Sequence, residues 1–498
     1  MRDADATVTD NEPRRPPAIV PVLIQVYPVF SGKELPRWVI DRPITIGRSV
    51  DPDRDLCLQD DTKTSKRHAV IVPDADAATL TDLASKNHTF VDGRAVKTTR
   101  LRDGSVIRVG GTLFVLRFER QGEADAPKSA ENLHRRLRGR SQEIKKLRHE
   151  IFTIAQTEQP VLLVGPTGVG KELAARSIHE LSPRRAGAFV AANCAAIPVG
   201  AEESTLFGHD KGSFTGAERS HAGYFRMAQG GTLFLDELGE LAPCVQAKVL
   251  RALEPIESDI AGAKKPTLFR VPSYGGQSES LVDIRIVTAT NVKLRSAVSS
   301  GTFREDLYHR LSVLPIHLPA LKSRRDDILG LFHHFLSENE TGIVRRASVR
   351  LAELLLLHSW SGNVRELRNL ASQLVAKNAP SVLEIEDLSE DALASIATIE
   401  QRSPSDENAD DDEQLNRITK EILERLLHEN DGKISVVARL LGRSARQIRR
   451  RMDEFKLSRP KKQPKSGNDK TDGNVGNTLG DDDNENDDKK DYNDADGE

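Results

Sequence analysis

The sequence predicts a multidomain protein: an all-β sandwich, then an α/β P-loop domain with a helical lid, then an all-α helix-turn-helix. Three observations support this order. Short β-branched strands separated by Gly, Asp and Asn fill residues 18–120. An apolar strand, a glycine-rich turn and a helical pattern surround Gly165–Lys171. Two short helices around Gly442 end in a cluster of arginines. A chain of 498 residues has room for about three such domains.

Charge is distributed unevenly along the chain. The net charge is only −3, but residues 443–462 are strongly basic and residues 481–498 are almost all Asp, Asn, Glu and Lys. This asymmetry predicts a nucleic-acid contact beside a solvating tail.

Cysteine usage and hydropathy indicate the compartment. Cys57, Cys194 and Cys244 lie far apart, which argues against a disulfide framework or a zinc site and favours a reducing cytoplasm. Residues 1–17 are charged and lack an apolar signal core, so we expect them to be disordered. No apolar run is long enough to span a bilayer, so we expect a cytoplasmic protein without a membrane partner.

Three polar loops interrupt the predicted strands of residues 18–120. They are Gly47–Ser49, Thr64–His68 and Asp82–Asn87. Together they supply a guanidinium, small hydroxyls and an amide, which are groups that bind a phosphate. From spacing alone, polar turns without a ligand explain the loops equally well.

The same segment resembles a forkhead-associated (FHA) domain, a β-sandwich that reads phosphothreonine. The resemblance implies that Arg48 and Ser65 contact the phosphate, with Lys66 beside them, and that Asn87 holds the backbone of the ligand peptide. His68 matches the position that supports the loop. Two positions depart from the family: its next glycine is His88 here, and its later Asn-Gly is Asp92-Gly93. We expect the peptide preference to differ and phosphothreonine binding to remain.

The central motif predicts a phosphate site after an apolar strand. Glycines let backbone N–H groups turn towards a phosphate, and the N-terminus of the following helix adds partial positive charge. Lys171 then reaches the β- and γ-phosphates, whereas Glu172 stands where a Ser or Thr usually binds Mg²⁺. The motif alone allows a kinase, a GTPase or a general ATPase. The predicted nucleotide contacts are Gly165, Pro166, Thr167, Gly168, Val169, Gly170, Lys171 and Glu172.

Two carboxylates end a second apolar strand, Gly230–Glu237. Asp236 is positioned to hold Mg²⁺, and Glu237 to polarise a water that attacks the γ-phosphate. A buried strand with acidic residues at its exposed end is common, but its place after a P-loop favours catalysis. The pair favours hydrolysis over phosphoryl transfer to another substrate.

Four more polar residues follow at places that suit a nucleotide site. Asn291 ends a third strand, where it could sense the γ-phosphate or orient the water. Arg304 and Arg310 are candidate arginine fingers for a neighbouring subunit, although each alone is more often a surface ion-pair partner. Arg365 opens a helix after a turn and could reach the phosphates from the lid. Upstream, the spacing of Leu137, Ile144, Leu147 and Ile151 predicts one helix over residues 133–155.

Residues 137–395 resemble the AAA+ ATPase domain of sigma-54-dependent transcription activators, the bacterial enhancer-binding proteins. Glu at position 172 is usual in that family. The decisive motif is the loop that in the family engages sigma-54, namely Gly212, Ser213, Phe214, Thr215, Gly216 and Ala217. Phe214 and Thr215 match the contact residues, and Ser213 replaces the usual Ala. The resemblance implies ATP, Mg²⁺, a homo-oligomeric ring and the sigma-54 RNA polymerase holoenzyme as partner.

Two further departures concern loops. Residues 255–280 are rich in Gly, Ser, Lys and Pro, which predicts an exposed insertion. Ser361 replaces the family's usual Pro before Gly-Asn, which should loosen the turn and leave Arg365 in place.

The last module is predicted to bind DNA. Its third helix, from Ala445, would enter the major groove, and the segment is similar to the Fis-type domain that ends many of these activators. The predicted DNA contacts are Arg443, Ser444, Arg446, Gln447, Arg449 and Arg450. The predicted partner is enhancer DNA.

The predicted domain boundaries follow from these motifs. They are an FHA domain at 18–120, a linker at 121–136, an AAA+ core at 137–325, a helical lid at 326–398, a linker at 399–413, a helix-turn-helix at 414–459 and a disordered acidic tail at 460–498. The predicted protein is an ATPase that opens promoters with sigma-54 polymerase and responds to a phosphothreonine protein, such as a Ser/Thr kinase or its substrate. The alternatives are a phosphoprotein-binding scaffold whose ATPase switches its oligomeric state, and a helicase-like or chaperone AAA+ motor.

Overall fold

The computed structural model contains two units, residues 1–401 and 402–498. Within the first unit it describes most positions between 19 and 393. These are residues 19–29, 34–74, 77–120, 125–127, 130–198, 200–213, 219–254, 268–272, 279–338, 344–377, 379–390 and 392–393. Eight isolated positions between 423 and 457 are described in the second unit. The predicted disordered ends, 1–17 and 460–498, and the predicted linker 399–413 lie outside the described residues.

Eleven strands of the described residues form the predicted β-sandwich. One sheet has the order β2-β1-β11-β10-β7-β8 and the other β4-β3-β5-β6-β9. The strands are β1 Ile19–Tyr27, β2 Arg37–Val39, β3 Ile44–Gly47, β4 Leu56–Cys57, β5 Ala69–Asp74, β6 Ala77–Asp82, β7 Thr89–Val91, β8 Arg94–Val96, β9 Thr98–Leu101, β10 Val106–Val109 and β11 Thr112–Arg120.

The first sheet is covered on both faces. Leu23, Phe114 and Leu116 pack inside the sandwich. Their neighbours Ile24 and Val115 point to the opposite face and join a second core. Because successive strand side chains alternate between faces, this explains why residues 22–24 of β1 and 113–116 of β11 are apolar without alternation.

A five-stranded parallel sheet follows, with strand order β13-β14-β17-β12-β18. The strand that leads into the glycine-rich turn, β12, therefore lies between β17 and β18. The strands and helices of this region, in chain order, are α1 Glu131–Arg136, α2 Gln142–Ala155, β12 Val161–Val164, α3 Lys171–Leu181, β13 Phe189–Asn193, α4 Glu202–Phe207, α5 Gly223–Met227, β14 Thr232–Asp236, α6 Pro243–Ala252, β15 Leu268–Pro272, β16 Glu279–Asp283, β17 Arg285–Thr290, α7 Leu294–Ser299, α8 Glu305–Leu311 and β18 Leu314–His317.

The helix predicted over residues 133–155 is two helices in the structure. α1 begins at Glu131, inside the predicted linker 121–136, and α2 begins at Gln142. Gly139 separates them at φ +146°, where an added Cβ would lie 2.5 Å from an Asp327 carboxylate oxygen. Ser141 then caps α2 by accepting a hydrogen bond from the backbone N–H of Ile144. The apolar spacing indicated helix correctly but carried no signal for this break.

The structure describes residues 268–272 and 279–280 of the predicted insertion at 255–280. β15 and β16 pair as an antiparallel hairpin. Phe269 and Val271 are 4% and 0% exposed and pack with the core around α6 and β14. The expectation of an exposed segment is therefore wrong for these strands, whose β-branched and aromatic residues alternate inward.

A helical lid follows the parallel sheet. Its elements are α9 Arg325–Glu338, β19 Arg346–Ala347, α10 Val349–Leu357, α11 Asn363–Ala376 and β20 Val382–Leu383. Leu351, Leu355 and Leu367 are fully buried in a core that also contains Ile24 and Val115 of the sandwich. The lid and the sandwich thus share one hydrophobic core.

Polar contacts reinforce this shared core. Arg117 of β11 donates from Nε and Nη2 to one Asp326 carboxylate oxygen at 3.0 and 2.6 Å, and from Nη2 to the Ser323 carbonyl at 2.8 Å. Arg108 of β10 donates to Glu353 at 2.8 Å. The Tyr27 hydroxyl donates to the Ala347 carbonyl at 3.1 Å.

Candidate functional site

The glycine-rich turn adopts a backbone that requires glycine at two positions. Gly168 and Gly170 have φ of +77° and +108°, in the left-handed region that other residues rarely adopt. The turn leads from buried β12 into α3, whose first residue is Lys171. Backbone N–H groups of the turn and of the helix N-terminus can therefore converge on an anion.

Lys171 links this turn to the predicted catalytic carboxylates. Its side chain is buried, and Nζ donates to the Gly165 carbonyl at 3.2 Å and to Glu237 Oε1 at 3.4 Å. Glu237 follows β14 with φ +51°. Burial raises the pKa of Asp236, its neighbour in the chain; the backbone N–H of Glu237 opposes this shift and the Glu237 charge adds to it. Two carboxylates at one strand end thus face one ammonium.

Two asparagines lie at the same edge of the sheet. Asn291 Nδ2 donates to the Thr167 hydroxyl at 3.1 Å, which places the predicted sensor on the glycine-rich turn. Asn193 ends β13 and pairs in register with Asp236. Sequence reasoning missed Asn193, although a polar residue at the end of a strand beside β14 was the available signal.

The lid meets the turn directly. The backbone N–H of Arg365 donates to the Gly168 carbonyl at 3.2 Å, and Asn363 Nδ2 donates to the Thr167 carbonyl at 3.0 Å. A Cβ on Gly168 would lie 2.2 Å from the Gly362 carbonyl oxygen. The turn at Ser361 therefore brings the backbone of Arg365 into contact with the glycine-rich turn.

One cavity of about 680 Å³ collects these groups. Its polar part contains Lys171, Asp236, Glu237 and Arg365, and its apolar part comes from α2, the segment just after β18 and the lid. Sequence reasoning missed Arg138 and Arg368, which no motif marks. The cavity is lined, among others, by Leu137, Arg138, Ile144, Thr167, Gly168, Val169, Gly170, Lys171, Glu172, Asn193, Asp236, Glu237, Leu318, Leu331, Val364, Arg365 and Arg368.

Glu172 lines this cavity but is also paired on the surface. Its carboxylate accepts from Arg176, one helical turn later, at 2.8 Å. Among the described residues no three His, Cys, Asp or Glu side chains form a metal-binding group. A divalent cation here would take its remaining ligands from phosphate oxygens and water, as Mg²⁺ usually does.

The two predicted arginine fingers lie away from the cavity of their own chain. Arg304 precedes α8, is exposed, and forms a 2.7 Å ion pair with Asp306. Arg310 donates to the Leu253 carbonyl at 3.0 Å. Neither lines the nucleotide-sized cavity. Arg304 is therefore available to another molecule, whereas Arg310 also holds the end of α6.

The predicted sigma-54 loop begins after a short two-stranded bridge. His209 and His221 exchange two backbone hydrogen bonds of 2.9 Å. His209 Nδ1 also forms a hydrogen bond of 2.7 Å with the Ser204 hydroxyl of α4. Gly212 and Ser213 are described, and Gly212 has φ +83°. Phe214, Thr215, Gly216 and Ala217 lie outside the described residues.

The three polar loops of the sandwich converge at one end. The backbone N–H of Arg48 donates to the Ser65 carbonyl at 2.9 Å, and the Ser65 hydroxyl accepts from the Lys86 N–H at 3.1 Å. Asn87 Nδ2 donates to the Lys63 carbonyl at 2.6 Å. Arg48, Lys66 and Asn87 are exposed there. The predicted phosphate contacts therefore share one surface.

His68 supports these loops from below. It is fully buried; Nδ1 accepts from the Ser65 N–H at 3.1 Å, and Nε2 lies 3.2 Å from the His88 carbonyl. His88 and Asp92 have φ of +56° and +49°. The two positions that depart from the FHA pattern thus keep the left-handed backbone that Gly and Asn adopt most readily.

Little of the predicted DNA-binding module is described. Arg449 is helical and exposed, between the buried Ile448 and Met452. Arg443, Ser444, Arg446, Gln447 and Arg450 lie outside the described residues.

Comparison with protein families matches four segments of the chain. Residues 137–317 match the sigma-54 interaction domain, and residues 322–405 match an AAA+ ATPase lid domain. Residues 44–110 match the FHA domain. Residues 414–455 match the Fis family of bacterial regulatory proteins.

Named relatives share the central part. The nitrogen fixation protein AnfA of Azotobacter vinelandii is 38% identical over 330 residues, covering 64% of this chain and 57% of that protein. The regulatory protein AtoC of Escherichia coli is 38% identical over 309 residues, covering 61% of this chain and 64% of that protein. The solved structure of NtrX from Brucella abortus in complex with ATP is 31% identical, covers 66% of this chain and 72% of that one, and has a TM-score of 0.45. The chain thus spans less than two thirds of the length of the curated relatives it matches.

The four matched segments and these relatives define the class of protein. The chain belongs to the sigma-54-dependent transcription activators, in a form that carries an FHA domain before the AAA+ domain and a Fis-type helix-turn-helix after it. The predicted multidomain fold is confirmed. In the part of the chain that the structure describes, no helix combines the length and apolar character needed to cross a bilayer.

Proposed function

We propose that this protein hydrolyses ATP to remodel sigma-54 RNA polymerase at promoters, under the control of a phosphothreonine protein. One observation carries the proposal: Lys171, Asp236, Glu237 and Arg365 line a single cavity over the glycine-rich turn. The first three lie within the segment that matches the sigma-54 interaction domain, and Arg365 lies within the segment that matches the AAA+ lid domain.

The cavity suits each part of ATP. Backbone N–H groups of residues 167–170 surround the phosphates, and Lys171 neutralises the β- and γ-phosphates. Arg365 contributes a second positive charge from the lid. Leu137, Ile144 and Val364 supply an apolar wall for the base. Glu237 polarises the attacking water, and Asn193 and Asn291 are placed to orient it or to report the γ-phosphate.

Magnesium fits the donor set of this cavity. Asp236 offers a half-buried carboxylate whose pKa is raised by burial, so a divalent cation would offset a charge that the protein itself compensates poorly. When bound, Mg²⁺ would neutralise developing charge on the phosphates. Glu172 is a less suitable ligand because Arg176 already binds its carboxylate.

The arginines favour catalysis between subunits. Arg304 is exposed and lies outside the cavity of its own chain, so it can complete the cavity of a neighbour in a ring. Arg310 would assist from the same helix while keeping α6 in place. The ATPase is therefore expected to depend on homo-oligomerisation.

The loop at 212–217 is the proposed contact with sigma-54. Its base is fixed by the His209–His221 bridge, and α5 leads from that bridge to β14, which ends in Asp236. A change at the carboxylates thus has a short route to the base of this loop. The helix-turn-helix would hold the ring at enhancer DNA through Arg449 and the neighbouring basic residues.

The test is ATP-dependent open-complex formation on a sigma-54 promoter. We expect the purified chain to support it, and Thr215→Ala to abolish it while ATP hydrolysis continues. Glu237→Gln should bind ATP and hydrolyse it about 10²–10⁴-fold more slowly. Normal promoter opening by Thr215→Ala would overturn the proposed mechanism. ATP-driven change of oligomeric state without promoter opening would favour a scaffold instead.

The phosphothreonine input has its own test. We expect a phosphothreonine peptide to bind the full chain and its unphosphorylated form not to bind. Arg48→Ala should lose the binding, whereas Arg42→Ala, on the exposed loop before β3, should keep it. Equal binding by Arg48→Ala and the unaltered chain would refute the assignment.

A further inference from the structure

A cavity of about 1050 Å³ opens between the sandwich and the lid, beside the proposed phosphothreonine site. One wall is formed by the sandwich through Lys63, Asn87 and Arg94. The other wall belongs to the lid, through Arg346, Arg350 and Glu353. The proposed peptide-holding residue, Asn87, is therefore also a wall of this cavity.

The cavity borders the phosphate-binding surface because the loops of Lys63–Ser65 and Lys86–Asn87 contribute to both. Asn87 Nδ2 binds the Lys63 carbonyl at 2.6 Å, and Lys86 N–H binds the Ser65 hydroxyl at 3.1 Å. A peptide whose phosphate lies at Arg48 and Ser65, and whose backbone passes Asn87, extends from there into the cavity.

The cavity as a whole carries more positive than negative charge, with Lys63, Arg94, Arg108, Arg346 and Arg350 against Asp92, Glu353 and Glu384. Arg346 and Arg350 are exposed, and no ion pair within 4.0 Å joins either of them to another described residue. Arg350 is close enough to Glu353 to act on that carboxyl electrostatically, although burial keeps the pKa of Glu353 raised. Glu353 itself is neutralised by Arg108 at 2.8 Å. The two lid arginines are thus positioned to attract acidic side chains.

Glu353 provides a second, independent indication of a ligand. Its side chain is 9% exposed, and its Oε2 is bound by Arg108. Its Oε1 is buried and has no hydrogen-bond partner among the described residues. Such an acceptor is costly to bury unsatisfied, and a peptide N–H would satisfy it once a rotation of the carboxylate turned Oε1 towards the cavity that Glu353 lines.

We propose that the lid completes the phosphopeptide site, and that Arg346 and Arg350 select phosphothreonine peptides with acidic residues flanking the phosphothreonine. The inference rests on the proposed phosphothreonine binding and extends it. The FHA domain then supplies the phosphate contact, and the ATPase lid supplies the sequence preference. A bound partner would touch both domains at once.

Peptide binding to the full chain tests the proposal. Three fluorescent peptides are compared: phosphothreonine flanked by Asp and Glu, the same peptide with Asn and Gln at those positions, and the unphosphorylated acidic peptide. We expect the acidic phosphopeptide to bind about fivefold to tenfold more tightly than the neutral one at low salt. The preference should shrink as salt screens the arginines.

The double variant Arg346→Ala/Arg350→Ala should bind both phosphopeptides with the affinity that the unaltered chain has for the neutral phosphopeptide. A matched variant, Lys322→Ala/Lys377→Ala, removes two exposed lid charges that do not line this cavity, and should keep the preference. Unchanged binding of the neutral phosphopeptide reports that the double variant is folded.

The outcomes separate the two ideas. If the unaltered chain binds neither phosphopeptide, the proposed phosphothreonine function itself fails. If it binds both equally, or if the preference survives in Arg346→Ala/Arg350→Ala, phosphothreonine binding stands and the contribution of the lid is refuted. If the unphosphorylated acidic peptide binds as tightly as the phosphorylated one, the cavity binds acidic chains without a phosphate and the composite site is also refuted.

Discussion

Asp326 and Asp327 are neighbours in the first turn of α9, yet their carboxylates bind different parts of the protein. The Asp326 carboxylate accepts a hydrogen bond of 2.6 Å from Arg117 of the sandwich. Asp327 accepts from the backbone N–H and hydroxyl of Ser141 at 2.9 and 2.5 Å, at the start of α2. One helical turn therefore joins the FHA domain, the lid and the ATPase core.

Removal of Arg117 should destabilise the protein strongly. Arg117 and Asp326 are 5% and 2% exposed, so Arg117→Ala leaves a buried carboxylate without its partner. Although burial opposes its charged form, the Asp326 charge raises the pKa of Arg117, so the guanidinium keeps its charge inside the protein. We expect a loss of about 3–5 kcal/mol in unfolding free energy, measured by denaturation of the full chain.

Two variants control this experiment. Arg135→Ala breaks only the exposed pair with Glu131 and should change little. Arg117→Met/Asp326→Leu removes both charges and should recover most of the loss. Equal stability of Arg117→Ala and Arg135→Ala would mean that the sandwich–lid contact carries no energy.

The space around Gly168 should make it the more sensitive of two glycines. Gly168 and Gly301 have φ of +77° and +72°, but a Cβ on Gly301 meets nothing within 4 Å, whereas on Gly168 it meets the Gly362 carbonyl at 2.2 Å. Gly301→Ala should cost only about 1–2 kcal/mol of backbone strain. Gly168→Ala adds a clash of about 1–3 kcal/mol, which corresponds to a loss of about fivefold to 150-fold in ATP affinity if the turn must re-form to bind the phosphates. Calorimetric ATP binding to both variants measures the difference, and equal affinities would contradict the lid contact.

Mixing two inactive variants should restore ATPase activity. Lys171→Ala removes phosphate binding but keeps Arg304, and Arg304→Ala keeps the cavity. In a mixed ring, some interfaces combine an intact cavity with an intact Arg304 from the neighbour. Steady-state ATPase of the mixture should therefore exceed the sum of the separate variants. A mixture of Lys171→Ala with Glu237→Gln offers no such interface and serves as the control, because both changes lie in the same cavity.

Folding stability should fall at mildly acidic pH because of His179. The imidazole is buried, and Nδ1 lies 2.9 Å from the Thr232 hydroxyl. Burial, with a smaller contribution from Arg285, lowers its pKa below the ordinary 6.5. The unfolded chain therefore binds the proton more readily, so this stabilisation is present above about pH 6.5 and is lost as pH falls below it.

The pH effect is measured by thermal unfolding at pH 7.5 and 5.5. His179→Gln should unfold with a smaller difference between the two pH values, by up to about 1.4 kcal/mol per pH unit. His309→Gln, at an exposed position, should leave the difference unchanged. The same slope in all three proteins would exclude His179 as the source.

Local sequence patterns were enough to predict the motifs whose residues are close together in the sequence. The strand, turn and helix around Gly168 and the acidic end of β14 are encoded within a few positions, and the structure places them together. The break at Gly139 was missed because its reason is an Asp327 carboxylate far along the chain. Arg117 and Asp326 are 209 positions apart, and no spacing rule relates them.

One sequence signal for the shared core was present and not used. Residues 22–24 and 113–116 are apolar without alternation, which indicates a strand covered on both faces. An isolated sandwich with one solvated face would alternate apolar and polar residues. The pattern shows that a second layer exists, and only the structure identifies it as the lid.

The shared core of the sandwich and the lid has a mechanical consequence. Separating them would expose Ile24, Val115 and Leu355 to water, so the two move as one piece when the lid moves. A phosphoprotein bound at Ser65 would then move together with the lid in every ATPase cycle. The volume of that partner would limit how closely neighbouring lids approach. The size of the partner, as well as its phosphate, would therefore affect the rate of ATP hydrolysis.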